Sequence, residues 1–344
     1  MSNKDTQHTF NPNATGVNNG NFFGFPYSLD EAAVVVYPVK WDVTTSYGGG
    51  ASKGPDAILA ASPQLDFYDW DYPRAWENKI GTAMACDAVS VSNAPMRSLA
   101  EGVIAHLEEG GDINDVQKDI DSINIASREM VEAVKRDTLD LLDSGKKVVL
   151  LGGDHSTPLG YMQALAERGE KFSILHIDAH ADLRDAYEGF EYSHASIMFN
   201  ALKIQQVERL VQVAIRDTCP DEIELVEKSD GRVKQFPYPV IASRTFGGQT
   251  WEEICRDIIE SLGERVYVSF DIDGLDPSLC PGTGTPVAGG LTFYQATYLL
   301  LMLKKSGREI IGADLNEVCP SSDDNEWDAN VGARLLYKMC SLIS

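Results

Sequence analysis

Three short stretches of this chain concentrate imidazoles and carboxylates: Gly152-Gly153-Asp154-His155-Ser156, Asp178-Ala179-His180-Ala181-Asp182, and Asp271-Ile272-Asp273-Gly274-Leu275-Asp276-Pro277. Each follows an apolar run, respectively KVVLL, FSILHI and VYVSF. Side chains two apart on extended backbone share a face, so Asp178, His180 and Asp182 project together, as do Asp271 and Asp273. With His155 they supply two imidazoles and four carboxylates. Two hard divalent ions about 3.5–4 Å apart want such a set, because bridging carboxylates neutralise both charges. One ion would leave surplus carboxylates repelling each other; two ions use them all. Two such cations would lower the pKa of a water held between them toward neutrality.

Taken singly, each stretch has a plainer reading. A lone DxD at a strand end serves as a turn cap or a solvated pair, and GGDH as a tight turn. DAHAD is harder to set aside, since three ionisable groups on one strand face need a cation or water. Three clusters at successive strand ends reinforce one another. His176 shares strand parity with Asp178 and His180 but lies inside an apolar run, and it reads as a core histidine or one that supports a ligand from behind. His8 and His106 have no partners in sequence and read as structural.

Bringing these groups together requires strands that end side by side. Apolar, β-branched runs mark strands at 33–38, 147–151, 172–178, 210–215, 266–273 and 309–315. Helical patterns fall between them, at 54–65, at 126–143 with Ser144-Gly145 as its stop, up to Arg168, from about Ser196, at 292–305 and from about Asn330. Helices alternating with apolar strands are the signature of βαβ units and a parallel sheet, whose ligands lie beyond the carboxyl ends of the strands. No shift in composition divides the chain. Residues 31–344 therefore read as a single α/β domain, preceded by an arm over 1–30 that is rich in Asn, Gly and Thr. The stretch 94–125, with its turn-like EEGGDIND, reads as an insertion carrying its own helix.

The 344 residues include 29 Lys and Arg against 52 Asp and Glu, a formal charge of −23. Such a balance repels phosphate backbones and anionic lipid, so neither nucleic acid nor membrane is an expected partner, and a small cationic substrate is favoured. Hydrophobic residues at 43% exclude wholesale disorder. Six scattered cysteines with no CxxC pair read as reduced thiols, and the polar N-terminus lacks the apolar segment of a secretion signal; both point to the cytoplasm.

Taken together, GGDHS, DAHADLRD…YSHAS, SFDIDGLDPSLCPGTGTPVAGGLT and GADLNEV resemble the signature blocks of the ureohydrolases, the arginase and agmatinase family, over about residues 30–342. The resemblance implies a three-layer α/β/α sandwich with a mainly parallel sheet, a homotrimer or homohexamer, and a binuclear manganese centre hydrolysing a guanidino group to urea. Carried over by position, one ion would take His155, Asp178, Asp182 and Asp271, and the other His180, Asp178, Asp271 and Asp273, with Asp178 and Asp271 bridging. His194 matches the family histidine that shuttles protons, and Glu317 the glutamate that grips the guanidinium. The chemistry agrees, since the leaving amine must be protonated and a carboxylate can accept two parallel N–H bonds from a planar cation. Without the resemblance, Glu317 would read as a solvated acid.

Which guanidine is taken is a separate matter. The loop RDAYEGFEYSHAS is closer to agmatinase-like members than to arginases. The block NGNFFGFPYSLDEAAVVVYPVKWDVTTSYGGGASKGP resembles the subgroup that hydrolyses free guanidine, for which nickel is the implied metal. The expectation is free guanidine giving urea and ammonia, with two divalent ions per chain, Mn2+ or Ni2+, and a metal-delivery chaperone as partner if nickel. Agmatine, giving putrescine and urea, is the alternative; another guanidino acid, arginine, a formimino substrate or an inactive scaffold relative follow. A substrate with no tail needs a small closed pocket and closely placed acceptors. Thr44 or Thr45 is expected to add a hydroxyl to the Glu317 carboxylate, and Trp251, with Trp327 behind it, an aromatic wall for the flat cation. Each also has a plain reading, as turn-capping threonines and packing tryptophans.

Overall fold

The computed structural model describes residues 10–169, 171–321 and 326–344, so His8 lies outside the described residues. The strands are β1 (Val34–Pro38), β2 (Ile80–Thr82), β3 (Lys147–Leu151), β4 (Phe172–Ile177), β5 (Val207–Val213), β6 (Val233–Phe236), β7 (Arg265–Asp271) and β8 (Glu309–Asn316). They form one eight-stranded sheet in the order β2-β1-β3-β8-β7-β4-β5-β6, with every pairing parallel. The helices are α1 (Gly54–Ala61), α2 (Asp87–Glu108), α3 (Gln117–Asp143), α4 (Leu159–Glu167), α5 (Ile197–Leu202), α6 (Pro220–Lys228), α7 (Tyr238–Phe246), α8 (Trp251–Glu260), α9 (Phe293–Lys305) and α10 (Trp327–Ile343).

An all-parallel sheet must be covered on both faces, and the strand sequences supply apolar side chains to both. Along β4, Leu175 and Ile177 enter the core shared with Ile58 of α1, Ile254 of α8, Leu299 of α9 and Leu335 of α10. Phe172 and Ile174 point the other way, into the core built with Val103 of α2, Met130 of α3, Met162 of α4 and Ile197 of α5. The result is the three-layer α/β/α sandwich. Each such side chain, fully buried, contributes about 1.5–3 kcal/mol. A one-residue slip of β4 would expose that gain to loss and would also turn His176 and Asp178 to the wrong layer.

Two strands and part of the helical pattern depart from the sequence expectation. β2 and β6 are edge strands of three and four residues, too short to leave an apolar run. α2 begins at Asp87 and carries Pro95 in its interior, where the missing N–H normally argues against a helix. α3 starts at Gln117, so 94–125 is mostly two helices joined by the EEGGDIND turn. The expected arm also enters the core: Phe22, Phe23 and Phe25 are fully buried, and Phe23 N donates to Ser62 Oγ at 2.7 Å. All six cysteines are free, and among the described residues no helix is long and apolar enough to cross a membrane.

Candidate metal centre and active site

The four central strands, β3-β8-β7-β4, end side by side, and their carboxyl ends carry the ionisable groups. His155 follows β3, Asp178 to Asp182 follow β4, Asp271 closes β7 with Asp273 just beyond, and Glu317 follows β8. Strand register sets their depth: Ser269 stands beside Asp314 and Asp271 beside Asn316, while His176 stands beside Ser269.

His155 Nδ1 faces three carboxylates, at 3.0 Å from Asp178 Oδ2, 3.3 Å from Asp182 Oδ2 and 3.4 Å from Asp271 Oδ2. His180 Nδ1 lies 3.0 Å from Asp273 Oδ2 and 3.5 Å from Asp178 Oδ1. Asp178 therefore offers one oxygen to each group. One imidazole nitrogen can give a single proton to three carboxylates, so this buried set is short of positive charge. Burial and the neighbouring Asp178 push Asp182 up to about 7, and burial with Asp273 and Asp178 raises Asp271 well above the carboxylate range. Like charges in a dry site behave this way until a cation joins them. The nitrogen and oxygen donors suit divalent ions of the manganese-to-nickel series, and the residues present fit two of them.

Behind these donors runs a buried polar row. Gln212, His176, Ser269 and Asp314 occupy neighbouring register positions across β5, β4, β7 and β8, with the half-buried Gln235 of β6 at the end of the row. His155 Nε2 donates to Ser269 Oγ at 2.9 Å, and Ser269 Oγ donates to Asp314 Oδ1 at 3.0 Å. This holds a His155 proton on Nε2, so that a metal ion displacing the proton from Nδ1 would find that nitrogen's lone pair aimed at the carboxylates. Gln212 Nε2 donates to His176 Nδ1 at 2.9 Å, and His176 Nε2 donates to Asp178 Oδ2 at 2.8 Å. Both His176 nitrogens are thus engaged, and the residue holds Asp178 from behind. Burial alone would raise Asp178, but His176, with His155 and His180, holds it well below the usual range. Sequence reading missed Gln212, Ser269, Asp314 and Asn316. Only the two-residue spacing of Ser269 with Asp271, and of Asp314 with Asn316, could have signalled them.

Glu317 is 6% exposed, and its Oε1 accepts from His155 N at 2.8 Å. Burial and the nearby Asp154 push its carboxyl well above the usual range. Its φ of 62° and the 54° of Asp182 are left-handed conformations on residues with a Cβ. Such backbone costs about 1–3 kcal/mol and persists where the surroundings impose it.

His194 lies over the cluster and is half-buried. Its backbone N donates to Thr44 Oγ1 at 3.2 Å, and Thr44 Oγ1 donates to Asp154 Oδ2 at 3.3 Å. Thr44 therefore ties together the loops after β1, β3 and β4. Burial, then the charges of His180 and His155, push His194 down to about 3, so its imidazole is neutral at physiological pH. His180, Asp182, His194, Tyr47, Tyr187 and Asp217 help line a cleft of about 220 Å3.

The remaining expected wall residues are elsewhere. Thr45 Oγ1 donates to Asp42 O at 3.0 Å, a turn cap. Trp251 is not brought to the cleft, which corrects its expected role. The capping box of Thr250 and Glu253 fixes the start of α8, and from there the Trp251 indole N–H donates to Gln295 O at 3.0 Å in α9. The aromatic faces at the cleft are those of Tyr47 and Tyr187. Trp327, 42% exposed, donates to Ser278 O at 3.0 Å in the loop after β7. His106 contacts Asp112 O at 3.1 Å, within its own turn.

A family model described as "Arginase family" matches residues 32–341. The chain is 35% identical over 318 residues to the N(1)-aminopropylagmatine ureohydrolase of Thermus thermophilus, covering 92% of each chain. It is 32% identical over 334 residues to the agmatinase of Neisseria meningitidis, covering 94% of this chain and 93% of that one. Among solved structures, the proclavaminate amidino hydrolase of Streptomyces clavuligerus shares the fold, with a TM-score of 0.74 at 24% identity over 94% of this chain and 96% of that one.

Proposed function

Because this chain belongs to the arginase family of hydrolases, we propose that it is a ureohydrolase acting on free guanidine, with water giving urea and ammonia. The observation that carries this reading is Glu317, a buried carboxylate set beside His155 of the His/Asp cluster. His155, Asp178, Asp182 and Asp271 would hold one ion, and His180, Asp178, Asp271 and Asp273 the other; Mn2+ and Ni2+ both suit these donors. The chemistry such ions supply when bound is a nucleophile available at neutral pH.

The chain's own groups do the rest. Glu317 accepts parallel N–H bonds from the planar cation and holds it flat against the cluster. An arriving cation also stabilises the ionised form of that carboxyl. Neutral His194 has Ser193 Oγ at 3.3 Å from Nδ1, which leaves Nε2 to accept a proton and return it to the departing nitrogen. The small cleft favours a substrate without a tail.

A tailed guanidine such as agmatine is the second reading. Asp217 favours it: this exposed carboxylate on the cleft has no partner among the described residues, and would meet a distal ammonium. Urea release from guanidine, agmatine, arginine and 4-guanidinobutyrate, measured on Mn2+- and Ni2+-loaded protein, separates the readings. Guanidine is expected to show the highest kcat/KM. A higher value for agmatine selects the second reading, and no urea from any of them rejects both.

A further inference from the structure

Three consecutive glycines, Gly48-Gly49-Gly50, lie in the loop after β1, and the chemistry above does not use them. Each stands where the loop meets something closely. A Cβ on Gly48 would lie 3.1 Å from Gly284 Cα and from Gly284 O. On Gly49 it would lie 3.4 Å from the Arg97 guanidinium, and on Gly50, whose φ is 128°, 2.8 Å from Cys319 Sγ.

Both loops involved are anchored. Asp42 Oδ2 accepts from Gly50 N at 3.0 Å and Ser52 N at 3.1 Å, and Arg97 donates to the carbonyls of Val43 and Thr45. Opposite, Asp328 Oδ1 accepts from Gly282 N at 2.7 Å, and Arg216 donates to Val287 O at 2.8 Å. Between these anchors the loops touch backbone to backbone, Gly48 N donating to Gly284 O at 3.3 Å.

That contact lies over Glu317. A Cβ on Gly284 would stand 2.9 Å from Gly48 O and 3.9 Å from Glu317 Oε2. Ser46 and Tyr47 on one loop and Thr285 on the other line the cleft, each within two residues of the glycine contact. Thr283, 5% exposed, buries its hydroxyl with no partner among the described residues.

We infer that the Gly48–Gly284 contact is a specificity latch. It sets the roof low over Glu317, so that an unsubstituted guanidinium lies flat beneath it while an N-alkyl group is resisted. The inference rests on the reading of Glu317 as the guanidinium acceptor. At 3.3 Å the bond is long and weak enough to part for entry.

The test compares Gly48→Ala and Gly284→Ala with the parent, all metal-loaded, on guanidine and methylguanidine. The added methyl must part the loops. The kcat/KM ratio of methylguanidine to guanidine is expected to rise about tenfold, the scale on which one methyl in a pocket wall discriminates, chiefly through a higher KM for guanidine. A ratio unchanged in both folded variants overturns the latch, as does an equal loss on both substrates. If the variants do not fold, hydrogen exchange on the parent decides. A Gly48 amide protected further by guanidinium supports the latch; exchange as fast as in an open loop overturns it. Failure of the substrate reading shows separately, as a parent preference for agmatine over guanidine whatever the variants do.

Discussion

At His155 the two ring nitrogens have separate tasks. Nδ1 faces Asp178, Asp182 and Asp271, while Nε2 is held by Ser269, itself held by Asp314. Asp314→Asn would replace that acceptor with a group able to donate, and Ser269→Ala would remove the link. Each is expected to weaken divalent-ion binding by about 10–100-fold, the usual cost of losing such outer support. Competition with a coloured chelator reads this directly, and unchanged affinity in both would show that His155 is oriented without them. His194 calls for the opposite signature. His194→Ala should keep its metal content and lose roughly 10²–10⁴-fold in kcat. Turnover near that of the parent at neutral pH would make His194 a structural residue of its loop. The difference in legibility follows from chemistry. Ligand candidates announce themselves, because charged groups at period two in strand ends have few other uses. Ser269 and Gln212 sit inside apolar strands as uncharged residues, and only the register of three chain-distant strands brings them under the cluster.

Elements were legible in proportion to how much apolar surface they bury on their own. β3, β4 and β7 are buried along nearly their whole length and β8 over its second half, and all read as runs; these are the strands that carry the site. β2 and β6, at the sheet edges, are defined by pairing with β1 and β5 and leave little mark in sequence. Trp251 was misplaced for a related reason. An aromatic residue after a loop resembles a pocket wall until a capping box fixes the helix start and turns the ring onto α9. Trp251→Ala should therefore leave guanidine kinetics alone and lower stability by about 1–3 kcal/mol, since the ring is only partly buried. A large change in KM without loss of stability would restore it to the site. A second tether lies at α10, where Lys338 Nζ meets Asp69 at 2.8 Å and Asp71 at 2.6 Å, holding the 65–79 segment to the helix. Lys338→Met leaves two carboxylates facing an apolar chain. It should cost about 3 kcal/mol, seen as a lower denaturant midpoint.

On the scale of the whole molecule, one charge problem connects the fold to its metals. A chain of formal charge −23 gathers four carboxylates into a buried space at the centre of its sheet, and without ions it must offset them with protons. Despite burial, which works against charge, the surrounding carboxylates Asp178, Asp182 and Asp271 raise His155 well above its ordinary range. Asp273 and Asp178 do the same for His180, up to about 12, again against burial. Burial and like charge raise Asp271 and bring Asp182 to about 7. Near pH 7 the metal-free protein therefore holds a proton on His180 and on part of the Asp182 population, and the shifts of His155 and Asp271 favour their protonated forms as well. Divalent ions need those same lone pairs, so binding must expel the protons. The sign follows: raising the pH removes competing protons, so affinity increases and the number released per ion falls. Titration with Mn2+ in buffers of different ionisation enthalpy should show release on the order of two to four protons per chain at neutral pH. The same linkage raises the melting temperature, because ligand at 100 times its Kd stabilises the native state by about 2.7 kcal/mol, and the gap between loaded and metal-free protein should widen from pH 6 to pH 8. Elemental analysis of fully active protein should give two ions per chain. Uptake without proton release would mean that the carboxylates are already balanced by groups of the fold itself, and full activity with a single ion would mean that Asp178 does not join two metals.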